Sequence, residues 1–112
     1  MAALIFKICD RAEWNVAIAV GAYRGSAKDR QDGFLHFSTR EQLPGTLQRY
    51  YAGADDLLLV AVDADVLGDA LQYERSRDGA LFPHLYSHLP LAAVRWAEPI
   101  GRNTEGEFLL PL

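Results

Sequence analysis

The sequence has a single cysteine and no long apolar run, and each absence excludes a class of protein. One thiol, Cys9, cannot form a disulfide within the chain, so the fold needs no covalent staple and suits a reducing compartment. The longest apolar runs are far shorter than the ~20 residues of a membrane span. The first residues also lack the charged start and apolar stretch of a signal peptide. The sequence therefore predicts a cytoplasmic protein of bacterial type.

Basic residues are few and scattered. The net charge is −4 and the pI is about 5.2. The densest basic group, Arg24, Lys28 and Arg30, is interrupted by Asp29 and Asp32. A protein that binds double-stranded nucleic acid needs a continuous basic surface to displace counterions from the phosphates. The charge pattern argues against a long nucleic-acid partner, whereas one small anion or a dinucleotide needs only one or two arginines.

The common motifs of metal, nucleotide and hydrolase sites are missing as well. The histidines at positions 36, 84 and 88 and the cysteine at position 9 show no HxxxH, HExxH or CxxC spacing. There is no phosphate-binding loop, no GxGxxG and no GxSxG. The sequence therefore predicts no metal site and no required cofactor. Cys9 has no local base to activate it and is interpreted as a buried strand residue.

What the sequence does contain is an ordinary globular balance. Its 112 residues, 50% of them hydrophobic and 23% charged, fit one domain over residues 1–112 with one core. No linker, internal repeat or low-complexity tract divides it. Oligomeric state cannot be inferred from these features.

Hydrophobic periodicity and turn residues predict alternating elements. The predicted strands are 3–9, 34–37, 57–62, 71–74, 82–86, 93–98 and 108–110. A first helix begins after Asp10, with Glu13 completing a capping box, and ends at Gly21; a second runs from Leu43 to Gly53. The first helix carries Trp14, Ala17, Ile18 and Gly21 at helical spacing. Residues 22–33 are predicted as a long polar loop, 63–68 as a short helical turn and 75–79 as a charged loop.

This order favours an α+β fold over a doubly wound parallel one. We expect two helices flanking a pair of small, strongly curved and mostly antiparallel sheets. The run 57–62 is apolar at every position, so it is predicted as a central strand buried on both faces.

A first candidate site lies in the segment 33–39. On a strand, His36 and Ser38 point to the same face, so an imidazole and a hydroxyl would stand side by side and could bind a ribose or an amide. Ser38 and Thr39 also precede a helix and have a sufficient explanation as caps. His36 is the residue that most needs a functional reason.

Two further candidates lie in the second half of the chain. Alternation places Phe82, His84 and Tyr86 on one face of a strand. Such a face could form one wall of a pocket for a planar ligand. Glu74 ends an apolar strand, where a carboxylate is costly unless it is paired or exposed. An ion pair with Arg24, Arg75 or Arg77 is the structural alternative for this carboxylate.

Several strings resemble the bacterial family called domain of unknown function 952. They cover nearly the whole chain in order: Ile5-Phe6-Lys7-Ile8, Glu13-Trp14, Tyr23-Arg24-Gly25-Ser26, Asp29, Asp32 to Thr39 with Gln42, the strand 57–62, Glu74, Phe82-Pro83-His84-Leu85-Tyr86, Leu89-Pro90-Leu91 and Val94. The strings Gly-Phe-x-His-x-Ser-Thr and Phe-Pro-His-x-Tyr are fairly specific when found together.

The resemblance implies a fold similar to the ADP-ribosyltransferases, with a split sheet and a cleft that holds NAD in active members. By that analogy, His36 with Ser38 and Thr39 is the polar motif beside the nicotinamide ribose, and Glu74 is the acid that steadies the transferred ribose. The implied pocket walls are Tyr23, His84 and Tyr86. NAD is then a candidate substrate rather than a resident cofactor.

Three functions remain open at this point: an ADP-ribosyltransferase-like enzyme, a non-catalytic domain that binds a small nucleotide-like ligand, and a plain interaction domain. The first needs Glu74 and His36 to converge on one cleft. The third predicts no concave site joining positions 36 and 84. The deciding observation is whether His36, Glu74 and His84 share one cleft, covered by residues 22–33.

Overall fold

The computed structural model describes residues 3–76 and 79–112. The strands are β1 Leu4–Asp10, β2 Ala22–Tyr23, β3 Leu35–His36, β4 Leu57–Asp63, β5 Leu71–Arg75, β6 Leu81–Leu85, β7 Leu89–Pro90, β8 Val94–Pro99, β9 Gly101–Arg102 and β10 Phe108–Leu109. The α-helices are α1 Arg11–Val20, α2 Ala27–Asp32, α3 Leu43–Tyr50 and α4 Ala64–Leu67. The predicted α+β class is confirmed.

The first sheet is antiparallel, in the order β1-β4-β8. All seven residues of β4 are buried, which confirms the prediction of a central strand that is apolar on both faces. Alternate residues of β4 divide between two hydrophobic clusters. Leu58, Val60 and Val62 join one cluster, while Leu57 and Leu59 join the other. The sheet is therefore the wall between two halves of the core.

The second sheet is antiparallel, in the order β3-β6-β5, so β6 is its central strand. Leu35 lies opposite Leu85, and His36 lies opposite His84. On the other side of β6, Glu74 lies opposite Phe82. Two small two-stranded sheets, β2 with β7 and β9 with β10, complete the pairing among the described residues.

The two larger sheets meet at the edge of β1. Phe6 and Ser38 exchange two backbone hydrogen bonds, at 2.9 and 2.8 Å, and form an isolated bridge. The chain leaving β3 is thereby fixed against β1. This junction holds the polar residues of β3 next to Lys7 of β1.

The first helix begins and ends where predicted, but the Glu13 side chain does not complete the predicted capping box. The Asp10 carboxylate accepts from the backbone N–H groups of Ala12 and Glu13, and Gly21 ends the helix with a left-handed φ of 90°. Trp14 and Ala17 are buried as expected. Ile18, which shares this helical spacing, is 58% exposed and lies away from the core.

The prediction of an irregular loop over residues 22–33 was also wrong. This segment contains β2 and the six-residue helix α2. Ser26 and Asp29 form a capping box at the start of α2, and Gly33 ends it in the left-handed region. The polar composition concealed the helix because its one buried side chain, Asp29, is a carboxylate.

The short strands β7 and β9 were not predicted, and the other elements agree with the sequence apart from their ends. Helix α3 stops at Tyr50, short of the predicted Gly53, and α4 occupies the predicted turn at 63–68. Part of the predicted charged loop, residues 77 and 78, lies outside the described residues. Among the described residues, no helix is long and apolar enough to cross a membrane.

Candidate functional site

The candidate site centres on two histidines of adjacent strands. His36 and His84 are register partners of β3 and β6, so their side chains stand on the same face of the second sheet. Their ring centroids are 5.7 Å apart, in an edge-to-face arrangement. His36 is partly buried and His84 is 8% exposed. Strand pairing thus brings together two residues that are distant in the chain.

Asp29 of α2 anchors the first histidine. Its buried carboxylate accepts from Nδ1 of His36 at 2.5 Å and from the backbone N–H of His36 at 3.1 Å. It also accepts from the Ser26 N–H at 2.9 Å. Burial alone would raise the pKa of Asp29. The hydrogen bond from His36, the charge of Lys7 and the Ser26 N–H outweigh burial, so the pKa of Asp29 lies well below its ordinary value.

Lys7 supplies the cation for this buried carboxylate. Its Nζ lies 2.9 Å from Oδ2 of Asp29 and donates to the His36 carbonyl at 2.8 Å. Lys7 is 3% exposed and lies on the face of β1 that carries Ile5 and Cys9. Because a buried charge needs a partner, this ion pair ties β1 to α2 and β3.

Asp32, the last residue of α2, contacts the outer side of His36. Its Oδ2 is 2.9 Å from Nε2 of His36 and 3.3 Å from Nζ of Lys28. The hydrogen bond from Lys28 is the main cause of a lowered pKa for Asp32. Carboxylates only accept hydrogen bonds. His36 can therefore donate to Asp29 and Asp32 at the same time only when each ring nitrogen carries a hydrogen.

A separate carboxylate, Glu74 of β5, anchors the second histidine. Its Oε1 accepts from Nδ1 of His84 at 2.8 Å and from the Tyr86 hydroxyl at 2.6 Å. The hydrogen bond from Tyr86, followed by that from His84, holds the pKa of Glu74 below its ordinary value. The same bond raises the pKa of Tyr86. Among the described residues, Glu74 makes these two contacts and no ion pair with Arg24 or Arg75. The third suggested partner, Arg77, lies outside the described residues.

Phe34 fixes the histidine rings from the side. Its ring stacks on His84 with a centroid separation of 4.0 Å and an interplanar angle of 27°. The centroid of the Phe34 ring also lies 4.6 Å from that of His36 and 5.4 Å from that of Tyr86. These aromatic contacts limit rotation of both imidazoles. Phe34 lies in the string Gly-Phe-x-His, yet its packing role could not be read from that string alone.

A glycine makes the approach of α2 to β3 possible. Gly25 has a φ of 103°, in the left-handed region. A Cβ on it would lie 2.6 Å from Cδ2 of Leu35 and 2.9 Å from Cβ of Asp29. No larger residue fits there without moving Leu35 or Asp29. Gly25 therefore permits the close contact that places Asp29 beside His36.

The histidine pair opens into a cavity of about 500 Å³. His36, His84, Phe34 and Ser38 are among its lining residues, and so are Asp29 and Asp32 of α2. Segment 22–33 thus contributes one side of the cavity. Its other side comes from α3, whose Thr46 and Tyr50 also line it.

Ser38 and Thr39, the two hydroxyl residues of segment 33–39, have different environments. The Ser38 Oγ is 3.0 Å from Oγ1 of Thr46, so Ser38 bonds to α3 rather than capping a helix. Thr39 lies outside the cavity lining and caps the 3₁₀ turn Arg40–Gln42, because the Gln42 side chain accepts from its N–H at 3.0 Å. The cap interpretation therefore fits Thr39, whereas Ser38 faces the cavity.

Both tyrosines expected as pocket walls, Tyr23 and Tyr86, lie outside the cavity lining. Tyr23 is 2% exposed and packs against Trp14 in the core. Its buried hydroxyl has no oxygen or nitrogen partner among the described residues and lies beside the Cys9 thiol. Burial raises the pKa of Cys9 to about 12. Tyr86 is half exposed and bonds to Glu74; neither it nor Glu74 is among the lining residues of the cavity.

Sequence reasoning missed Asp29, Asp32 and Lys7 as site residues. The signal for Asp29 was the Ser-x-x-Asp spacing of a capping box at Ser26. No local pattern could indicate that the same carboxylate would bind both Lys7 and His36. No group of three or more candidate ligands capable of holding a metal ion occurs in the described ranges.

Together the fold and site define a small α+β protein with a cleft lined by two carboxylate-bound histidines. The chain belongs to the family described as Protein of unknown function (DUF952), whose model matches residues 8–97. The expected family is thereby confirmed. No curated protein matches the chain.

Solved structures of one bacterial protein share this fold. The X-ray structure of protein CC0527 from Caulobacter crescentus is 43% identical, covers 96% of this chain and 94% of its own, and superposes with a TM-score of 0.90. A solution NMR structure of CC0527 is also 43% identical, covers 93% of this chain and 90% of its own, and has a TM-score of 0.83. These relatives support the fold and carry no stated activity.

Proposed function

We propose that the cavity beside His36 and His84 binds a small nucleotide-like ligand, with NAD as the first candidate, and that the protein is an ADP-ribosyltransferase-like enzyme. The observation that carries this proposal is that the two histidines share one cavity with the stacked ring of Phe34. Convergent polar groups on an aromatic wall are typical of cofactor and ligand sites. This geometry argues against a plain interaction domain, for which the two histidines would share no concave site.

Size and charge support an anionic ligand of this class. A volume of about 500 Å³ falls within the ordinary range for small-molecule sites. The described lining residues include four cationic and three acidic side chains, although the whole chain has a net charge of −4. These residues are Lys7, Lys28, Arg49, Arg75, Asp29, Asp32 and Glu41. The local balance therefore favours a phosphate-bearing ligand more than the rest of the surface does.

The chemistry of ADP-ribosyl transfer requires a carboxylate near the ribose. As nicotinamide leaves, positive charge develops on the ribose and a fixed negative group stabilises it. Glu74 carries a lowered pKa, so it is ionised at neutral pH, and it shares the sheet face of His84. The hydroxyl of Ser38 and the ring of His36 supply polar groups for the ribose and amide of the ligand. The pair of small antiparallel sheets supports the comparison with that enzyme class.

A second candidate, binding without catalysis, is favoured by the place of Glu74. Its Oε1 accepts two hydrogen bonds within the protein, and the residue stands outside the cavity lining. A carboxylate committed in this way would orient His84 rather than touch the ribose. The two candidates therefore differ in whether Glu74 acts on the ligand.

Titration of the purified chain with NAD, with nicotinamide release measured by chromatography, tests both candidates. The enzyme candidate expects release that falls by about 100-fold or more in Glu74→Gln, the loss typical of removing one stabilising group. Glu105→Gln, a change at an exposed turn residue, is the matched control. Binding without release, unaltered by Glu74→Gln, favours the non-catalytic domain. Absence of both binding and release contradicts the proposed function.

A further inference from the structure

The two histidines differ in which ring nitrogens are occupied. Both nitrogens of His36 contact carboxylates, Nδ1 with Asp29 and Nε2 with Asp32. His84 uses only Nδ1, toward Glu74. Its Nε2 has no hydrogen-bond partner within residues 3–76 and 79–112, and the residue lines the cavity.

These contacts assign a hydrogen to particular atoms. The carboxylate of Glu74 accepts from Nδ1 of His84, which leaves a lone pair on Nε2 when the ring carries one hydrogen. When His36 is protonated, it donates from both nitrogens, and the hydrogen on its Nε2 can be given away. One ring is arranged as a proton acceptor and its neighbour as a proton donor. Such complementary pairs divide the roles of base and acid.

From this arrangement we infer a second activity: His36 and His84 form an acid–base pair that hydrolyses a cyclic phosphodiester of a ribonucleotide. The inference uses the same cavity as the proposed function but does not depend on NAD. A histidine ring nitrogen and a substrate oxygen form a hydrogen bond at a separation of about 2.6–3.2 Å. Rings with centroids 5.7 Å apart can therefore contact two oxygens bound to one phosphorus.

The contacts of Asp32 indicate where the phosphate group of a substrate would bind. Its carboxylate bridges Nε2 of His36 and Nζ of Lys28, which makes it an internal substitute for a phosphate oxygen. The Asp32 side chain is 33% exposed and ends a six-residue helix, so it can turn away when an anion enters. A bound phosphodiester would then accept hydrogen bonds from both cationic groups.

The substrate class follows from charge and from the leaving group. A cyclic phosphodiester carries one negative charge, which matches the small cationic excess among the described lining residues. A ribose oxygen leaves poorly unless it receives a proton, and His36 can supply that proton. In a cyclic ester this oxygen stays attached to the same ribose, within reach of the pair. The aromatic rings of Tyr50 and Tyr51 offer surfaces for the base.

The reaction balances with water as the only co-reactant. Nε2 of His84 removes a proton from water while the water oxygen forms a bond to phosphorus. The bond from phosphorus to one ribose oxygen breaks, and that oxygen takes the proton from Nε2 of His36. The product is a nucleoside phosphate monoester, and exchange with solvent restores both histidines. Glu74 is a positioning residue in this scheme, because it acts through His84.

The test is hydrolysis of adenosine 2′,3′-cyclic monophosphate by the full chain, followed by phosphorus NMR of the ring opening. We expect ring opening by the wild type and a loss of about 100-fold or more in both His84→Gln and His36→Gln. His88→Gln, at an exposed histidine, is the matched control and should retain activity. Identical purification of all variants excludes a contaminating nuclease. No ring opening by the wild type, or equal activity in His84→Gln, overturns the inference.

Two further variants keep the test decisive if His36→Gln does not fold. Asp32→Asn should lower KM roughly fivefold, because it removes the repulsion between the Asp32 carboxylate and the phosphodiester, and fivefold corresponds to one unit-charge repulsion at about 4 Å in water. Glu74→Gln should lower kcat and leave KM unchanged, an effect that a purely structural role would not separate. An unchanged KM in Asp32→Asn counts against the inference. Ring opening without NAD binding overturns only the proposed function, and NAD cleavage without ring opening overturns only this inference.

Discussion

Lys7 and Asp29 form a buried ion pair that joins the first strand to the short helix α2. The two charged atoms are 2.9 Å apart, and the side chains are 4% and 2% exposed. The pair lies next to His36 and supports the first histidine of the site. Its contribution can be measured without knowledge of any ligand.

Removal of the cation should destabilise the whole domain. We expect Lys7→Met to cost about 3–5 kcal/mol of unfolding free energy, because it leaves an uncompensated buried carboxylate. The measurement is urea unfolding followed by tryptophan fluorescence. Lys28→Met, at an exposed pair with Asp32, should cost about 0–1 kcal/mol. Equal losses in the two variants would contradict a structural role for the buried pair.

Acid should weaken the domain through Asp29. Its pKa is lowered in the folded state, so it contributes stability that is present above the unfolded value, about 3.9, and is lost as pH falls through the folded value. Asp29→Asn should therefore unfold with a flatter dependence on pH in the acid range. Unfolding free energies measured from neutral pH downward test this. Asp55→Asn, at a 90% exposed carboxylate, should keep the steep dependence.

Sequence patterns predicted the large elements better than the site. The apolar run of β4 identified a central strand because each face of that strand meets a separate part of the core. Alternation placed His36 correctly on one face of a strand. The pairing of His36 with His84, however, depends on a strand contact between distant segments, which local periodicity does not encode. Helix α2 was missed because its stability comes from capping and from the buried contact with Lys7 rather than from an apolar face.

The bond between Tyr86 and Glu74 should be visible as a shifted titration. Tyr86→Phe removes the main cause of the lowered pKa of Glu74, so that pKa should rise toward its ordinary value. NMR titration of the Glu74 side-chain carboxyl carbon measures the change. Tyr73→Phe is the control, because Tyr73 lies next to Glu74 on β5 and is 49% exposed. A pKa of Glu74 that is unchanged in Tyr86→Phe would mean that the hydrogen bond is not formed in solution.

Gly25 should tolerate no side chain. In Gly25→Ala the new Cβ meets Leu35 at 2.6 Å in addition to the cost of a left-handed φ. That conformation alone costs of order 1–3 kcal/mol in a non-glycine residue. Gly106→Ala has a φ of 82° and open space around the new Cβ, so it carries only the backbone cost. Thermal unfolding of the two variants should show the larger loss at Gly25, and the reverse order would contradict the close packing of α2.

Cys9 should be inert in the folded protein. Burial raises its pKa to about 12, so very little thiolate exists at neutral pH, and the side chain is out of reach of reagents. Labelling with a disulfide reagent should be slow in buffer and should accelerate in urea at the rate of unfolding. Fast labelling of the native protein would contradict the burial of this thiol.

The position of β6 has a consequence for biosynthesis. This central strand, Leu81–Leu85, pairs with β3 on one side and β5 on the other, and it carries the second histidine. A chain emerging from the ribosome exposes β3 well before β6, so the sheet beside the cavity cannot close until residues 81–85 have been made. The nascent protein therefore has no complete site, and sequence changes that slow the docking of β6 should delay the appearance of any activity without altering it once folding is finished.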